Sequence, residues 1–509
     1  MASPTPTPSR NPPCVLLRTR GTSIITPSGK PIILKGCGIG GFLNMENFIT
    51  GYSGHEHEHR HQLTTVLGPA LADFYFSTLI KSFFSSSDAQ FIASLGLNCV
   101  RIPFNYRHFI DPLNPAVLKP EGFELLDHVV EVCGQHNLYV ILDLHAAPGG
   151  QNQDWHSDSG ISRALFWEFR SHQDLAIRLW ESLARRYVGN PVVAGYNPLN
   201  EPADPSPQAA GLVSFYSRAE KAIRAVDKDH ILFLDGNTYA MDFSAFPAAP
   251  FENTVYSIHD YSLYGFPIAG REQYAGSAEQ KAKLLSQFRR KAAYMKDKGV
   301  PVWNGEFGPV YADAGAEGAE AINEKRYAML AEQLRIYREE GGGVGWSIWL
   351  YKDIGHQGMV HASASSPYLS LVRPFLEKKK ALGLDFWGAA DKRKVDGEVY
   401  DPFFSRLEEM VPDKFRGAKY PGIWSFRRQF ERAIREGLLS EYVGWELAEL
   451  FRGKTKEELR ELAESFKFEK CVVRTGLNEI LTRDAQVGAN RWEGESWEKG
   501  KGKGKGKGD

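Results

Sequence analysis

Glu201, in the segment GYNPLNEP, and Glu306, in NGEFG, each stand at the end of a run of apolar, β-branched residues. Two carboxylic acids facing one another across a sugar are the apparatus of glycosidic-bond cleavage. One protonates the leaving oxygen while the other attacks the anomeric carbon or activates a water. These jobs need different protonation states at one pH. Arg101 and Tyr261 stand at the ends of two further runs, NCVRIPF and TVYSIHDYS. By charge and hydrogen bonding they would hold Glu306 ionised, and the negative Glu306 would raise the pKa of Glu201 and keep it protonated. Asn200, directly before Glu201, would aim its amide at a sugar 2-hydroxyl, a contact that tightens in an oxocarbenium-like transition state. His145, His259 and Trp349 end other runs. The Trp349 indole offers a ring face to a sugar, or packing to a core. A structural salt bridge between Arg101 and one glutamate is the plainer account, but it leaves the other glutamate and the histidines without a reason.

Something must bring these residues to one place. Eight strand-like runs, at 31–39, 98–104, 138–146, 192–201, 231–237, 254–262, 301–307 and 344–351, are mostly continuous and apolar, as parallel strands covered on both faces are. Amphipathic helix patterns lie between most of them, at 122–136, 172–187, 210–226, 281–299 and 323–340. Runs five and six are joined by a short loop. The alternation predicts an α/β fold, a TIM (β/α)8 barrel, over a doubly wound open sheet. No G-x-G-x-x-G follows the first run, which weighs against a dinucleotide-binding sheet. In a barrel the carboxyl ends of the strands share one mouth, so the chemistry-bearing residues converge there.

Beyond the barrel the pattern changes. Residues 396–490 are helical and highly charged, broken at Pro412, and form a C-terminal helical appendage. The remaining divisions are a flexible, Pro-rich N-terminus (1–20), the catalytic barrel (21–395) and a disordered Gly/Lys tail (491–509). With 42% hydrophobic and 24% charged residues the composition is that of a soluble globular protein. A net charge of −1 gives no basic field for nucleic acid. No run of 18 apolar residues would cross a membrane, and the N-terminus lacks a secretory pattern. Five scattered cysteines (Cys14, Cys37, Cys99, Cys133, Cys471) suit free thiols in a reducing, cytoplasmic setting. The histidine-rich GHEHEHRH (54–61) reads as a solvated loop before the first long helix, in preference to a metal site. SPYLSLVRPFLEKKK (366–380) reads as the last barrel helix.

The segments GYNPLNEP, IHDY, NGEFG and GWSIWLYKD, in that order and spacing, resemble glycoside hydrolase family 5, whose members are retaining barrel enzymes with catalytic glutamates on strands four and seven. The similarity covers roughly residues 31–380. It implies Glu201 as acid/base and Glu306 as nucleophile, with Arg101, His145, Asn200, His259, Tyr261 and Trp349 around the sugar. The loop HAAPGGQNQDWHSDSG (145–160) resembles that of the fungal exo-β-1,3-glucanase branch and adds Trp155. It departs from that branch at Gln153-Asp154-Trp155-His156, where Gly-Phe-Asp is expected. The helical tail and the missing signal also depart from secreted cellulases and imply a smaller intracellular substrate. The expectation is a retaining β-glycosidase acting by double displacement on β-linked glucosides or short β-glucans, exo-acting because loops 145–165 and 355–370 close one end of the cleft. The carboxyls should stand about 5–5.5 Å apart, and no cofactor or metal is called for. The alternatives are a β-mannosidase, a glycolipid β-glycosidase, or a carbohydrate-binding barrel without catalysis. An aldolase or lyase would need a Schiff-base lysine at a strand end, where only Lys352 is near.

Overall fold

The computed structural model describes residues 16–267, 272–313, 315–340, 342–384, 396–419 and 423–487. Eight strands close into a parallel barrel in sequence order: β1 (Lys35–Gly38), β2 (Cys99–Asn105), β3 (Tyr139–Ala146), β4 (Val193–Asn197), β5 (Ile231–Asp235), β6 (Thr254–His259), β7 (Val302–Phe307) and β8 (Gly345–Ile348). Their side chains are buried on both faces, except at the start of β7, which is why they read as unbroken apolar runs. The surrounding helices follow the 3.6-residue period. Arg170–Tyr187, for example, buries Ala176, Leu179, Trp180, Leu183, Ala184 and Tyr187 along one stripe. Ala278–Lys291 starts on a capping box between Ser277 and Gln280. Between β5 and β6 only the short turn Asn237–Ala240 intervenes. The helix Pro367–Ala381 follows β8 as the sequence implied.

Several boundaries differ from the sequence reading. The run at 31–39 divides. Pro31–Ile32 joins Arg18–Arg20 and Ser23–Ile25 in a three-stranded antiparallel sheet, so residues 18–20, assigned to a flexible terminus, are paired strand. The fourth run stops at Asn197, four residues early, because Pro198 has no N–H to continue the ladder. GHEHEHRH is no solvated loop. It opens the helix Glu56–Leu67, where Glu56, His59 and Gln62 are buried. Its histidines diverge. His55 meets Glu441, His57 meets Asp158, and His59 stacks on Tyr52, where burial pushes its pKa down to about 3.

The appendage is helical, as expected. Asp401–Glu409 ends just before Pro412, and Phe426–Phe430 runs on through the wide-turn helix Glu431–Leu439 into Ser440–Glu449. Lys456–Ala463 packs on Pro69–Phe83, and Ser440–Glu449 packs on Glu56–Leu67. Cys471–Val473 adds an antiparallel strand to Val360–Ala362. The last helix, Thr475–Gln486, reaches the amino end of the barrel, where Asp484 meets Lys35 Nζ at 2.9 Å and accepts from Trp346 Nε1 at 2.9 Å. Cys37, Cys99 and Cys133 are buried free thiols, and Cys471 is half-buried. Cys14 and the Gly/Lys tail lie outside the described residues.

Candidate active site

The two glutamates reach the mouth by different routes. Glu306 belongs to β7 itself, whereas Glu201 follows a three-residue turn after β4 and sits at φ 45°. A left-handed glutamate costs about 1–3 kcal/mol and persists only where its surroundings fix it. Here the Glu201 backbone N–H donates to Asp235 Oδ2 at 2.9 Å, at the end of β5, and its carbonyl accepts from Asn152 Nδ2 at 2.9 Å. The backbone is thus pinned from both neighbouring strands.

Both Glu306 oxygens are occupied. Arg101 Nη1 donates to Oε1 at 2.6 Å and the Tyr261 hydroxyl donates to Oε2 at 3.0 Å. Arg101 is fully buried and spends its other nitrogen on Asn200 Oδ1 at 2.6 Å, Asn197 Oδ1 at 3.2 Å and Asp143 Oδ2 at 3.0 Å. Glu201 Oε1 lies 2.6 Å from His259 Nδ1, and Oε2 lies 3.4 Å from His156 Nε2. His259 Nδ1 is also 3.6 Å from Glu306 Oε2. One ligand atom from each of Glu201, His259 and Glu306 falls within 4.8 Å of the other two. The nearest oxygens of the two carboxyls therefore lie within 4.8 Å of one another. The same cluster offers metal-ligand types. A divalent ion there would compete with the Arg101 guanidinium and the Tyr261 hydroxyl already on Glu306, so the donor set suits a pair sharing a proton.

Electrostatics follow from the burial. Desolvation pushes both Glu201 and Glu306 up to about 7. Against that rise, His259, whenever its ring is protonated, and Arg101 pull Glu306 down, while a protonated His156 would pull Glu201 down. Burial holds His259 below its ordinary value, His145 well below it, and His156 down at about 4. These rings are neutral near pH 7, so Arg101 is the fixed cation touching the pair. The permanent charge at 2.6 Å and the second donor make Glu306 the member held ionised.

The mouth opens into a cavity of about 490 Å3. Seven residues singled out in the sequence line it: His145, Trp155, Glu201, His259, Tyr261, Glu306 and Trp349. Arg101 and Asn200 do not line it; they brace the floor from beneath. The Asn200 carbonyl is taken by Arg101, and its amide nitrogen is 3.4 Å from His145 Nε2. Trp349 stacks on His145 with ring centroids 5.2 Å apart and planes at 4°. A Cβ at Gly38 or Gly40 would come within 2.7 or 2.8 Å of that indole, so the glycines after Cys37 give the ring its seat. The peptide between Trp349 and Leu350 is cis.

Other lining residues escaped the sequence reading. Glu46 is a third buried carboxyl, raised well above its ordinary value by burial and by Glu306 and Glu201. An acid among glycines and apolar residues just after β1 was its signal. His156 was visible only as part of a loop. Tyr239 comes from the turn after β5. Ile423, Trp424, Arg428 and Arg432 come from the appendage. The loop 145–160 walls the cavity as expected, but 355–370 does not line it. Val360–Ala362 pairs instead with Cys471–Val473.

The chain is similar to known glycoside hydrolases. The family model described as Cellulase (glycosyl hydrolase family 5) matches residues 71–354. A protein named Beta-xylosidase from Phanerodontia chrysosporium is 49% identical over 477 residues, covering 93% of this chain and 99% of its own length. A Probable glucan 1,3-beta-glucosidase A from Neosartorya fischeri is 28% identical over 360 residues, 64% of this chain and 84% of that one. The crystal structure of an endoglucanase from Thermotoga maritima superposes with a TM-score of 0.42 at 20% identity, over 53% of this chain and 82% of that chain.

Proposed function

The chain belongs to glycosyl hydrolase family 5 and is a glycoside hydrolase, and on that premise we propose that it is a retaining, exo-acting β-glycosidase that releases single sugars from β-linked glucosides and xylosides. One observation carries the reading: an oxygen of Glu201 and one of Glu306 stand within 4.8 Å of one another in the cavity at the barrel mouth. That proximity suits direct attack by one carboxylate while the other delivers a proton, as in a retaining pair.

In the first step a Glu306 oxygen attacks the anomeric carbon. Glu201 passes its proton to the glycosidic oxygen, the carbon–oxygen bond breaks, and its electron pair leaves with the aglycone. In the second step a water attacks the same carbon while Glu201 takes its proton, and the ester to Glu306 breaks. Two inversions return the β anomer. Arg101 and Tyr261 keep Glu306 anionic for attack. A protonated Glu201 donates to His259 Nδ1 at 2.6 Å until substrate offers a better acceptor. His145 and Trp349, stacked together, form the platform beneath the reacting ring.

Exo action draws support from the cavity wall, to which the appendage adds Ile423, Trp424, Arg428 and Arg432. Xylosides join glucosides because of the name borne by the relative that is 49% identical. A cytoplasmic location is part of the same proposal, supported by the buried free thiols. The test is a panel of aryl β-glucosides, β-xylosides, β-galactosides and β-mannosides with the released anomer followed by NMR. Glucoside or xyloside turnover with the β anomer appearing first is expected. First release of the α anomer, or no turnover of either sugar, would overturn it.

A further inference from the structure

The cavity has two chemically different ends. The inner end is rich in acceptors and neutral imidazoles, which suit a polyhydroxylated ring. The outer end is walled by Tyr239, Met241, Phe266 and, from the appendage, Ile423 and Trp424. Its cations are Arg428 and Arg432, the latter paired with Asp154 and Glu436. A flat aromatic ring would find faces.

The geometry of those faces is built. Trp424 is only 6% exposed, and its ring lies parallel to Tyr239, 5° between planes and 6.4 Å between centroids. The Arg428 guanidinium lies 5.6 Å from the Trp424 ring centroid. Arg432 bridges the two walls, 4.3 Å from the ring of Trp155 and 5.8 Å from that of Trp424. Its charge is held by Asp154 of the β3 loop and Glu436. Tyr239 is the middle of three consecutive left-handed residues, Thr238 (φ 54°), Tyr239 (φ 60°) and Ala240 (φ 57°). None is glycine, and such a run persists only where packing over-determines it, as at ligand clamps. Trp424, Arg428 and Arg432 lie outside residues 71–354, which the family model matches.

We propose that residues 423–432 build the leaving-group subsite and that this subsite selects planar aromatic aglycones, phenols in particular. The inference rests on the β-glycosidase reading above. A phenyl aglycone gains stacking on the Trp424 ring and cation–π attraction to the guanidiniums of Arg428 and Arg432, which lie 5.6 and 5.8 Å from that ring's centroid. An alkyl aglycone gains neither.

The binding arm uses non-hydrolysable phenyl and methyl β-thioglycosides of one sugar, titrated calorimetrically into the full-length protein. The phenyl compound should bind at least tenfold tighter. In Trp424→Ala that preference should fall to near unity, and Trp424→Phe should restore most of it. The kinetic arm compares phenyl and octyl β-glycosides. Trp424→Ala should lower kcat/KM for the phenyl substrate about tenfold more than for the octyl one, with inhibition by the free sugar unchanged. Equal losses on both substrates, no phenyl preference in the wild type, or no binding of either thioglycoside would overturn the inference. Phenyl preference in binding without any turnover would sink the glycosidase reading and leave the aromatic subsite standing. Melting temperatures of both variants separate lost packing from lost recognition.

Discussion

At the scale of single residues, the two glutamates are distinguished by their partners, since burial lifts both to about 7. Glu306→Ala removes the attacking oxygen and should lower kcat by roughly 10^4 or more on every substrate, as loss of a nucleophile does. Glu201→Ala removes proton delivery in the first step and base assistance to water in the second. In kcat/KM, which reports the first step, its loss should be large for phenyl glycosides and small for dinitrophenyl glycosides, whose oxygen leaves unaided, so a uniform loss across leaving groups would count against the assignment. The raised values also make a stability statement. A carboxyl whose folded pKa lies above its unfolded value favours the folded state at low pH, and that benefit disappears as pH rises through about 7. Glu201→Gln cannot ionise. Its melting temperature should exceed that of the wild type at pH 8, with the gap closing toward pH 5, and a gap that widened at pH 5 would refute the linkage. The pair works with one proton between two groups near 7, so kcat/KM should fall on both sides of neutrality.

At the scale of elements, the strands were legible because both faces are buried. Continuous apolar runs mark them, and the residues ending those runs found the mouth. Legibility failed where local and long-range causes part. The sequence GHEHEHRH is polar along its length, and its contacts with Glu441 and Asp158, both far away in the chain, with Asn105, and with the rings of Tyr52 and Phe76 explain why it folds as half-buried helix. Glu201 was read as strand because nothing local shows that Asp235 holds its backbone in a left-handed conformation. Trp424 and Arg432 had no signal at all, since a charged helix that folds over a mouth reads the same as one in solvent. The element that joins them is the β3 loop, through Asp154 and Arg432. Removing one partner of a buried pair costs about 3–5 kcal/mol. Arg432→Met should therefore lower the melting temperature and raise KM for aryl glycosides, with the β anomer still released. Dialysis against a chelator should leave kcat unchanged, because Glu306 is already filled by Arg101 and Tyr261; loss of activity restored by a divalent ion would contradict that account.

At the scale of the whole molecule, the appendage does two separate jobs at opposite ends of the barrel. Ile423, Trp424, Arg428 and Arg432 wall the mouth, whereas Thr475–Gln486 closes the amino end. There Lys35, on the first barrel strand, is 5% exposed and its ammonium rests on Asp484, which also takes Arg338 and the Trp346 indole. Asp484→Ala would leave the buried Lys35 ammonium with backbone carbonyls, those of residues 484 and 487, but no counter-charge, at about 3–5 kcal/mol. The melting temperature should drop by several degrees. Because the site lies at the other end, kcat and KM measured well below the new melting point should stay within about twofold. The double change Lys35→Met with Asp484→Leu removes that ion pair but leaves Arg338 and the Trp346 indole N–H without their acceptor, so it should recover only part of the lost stability. A single variant with unchanged melting temperature, or a double variant no better than the single, would show that the last helix closes the barrel by packing alone. If kcat fell in step with stability even at low temperature, the two ends of the barrel would be coupled and the appendage would be one device serving both.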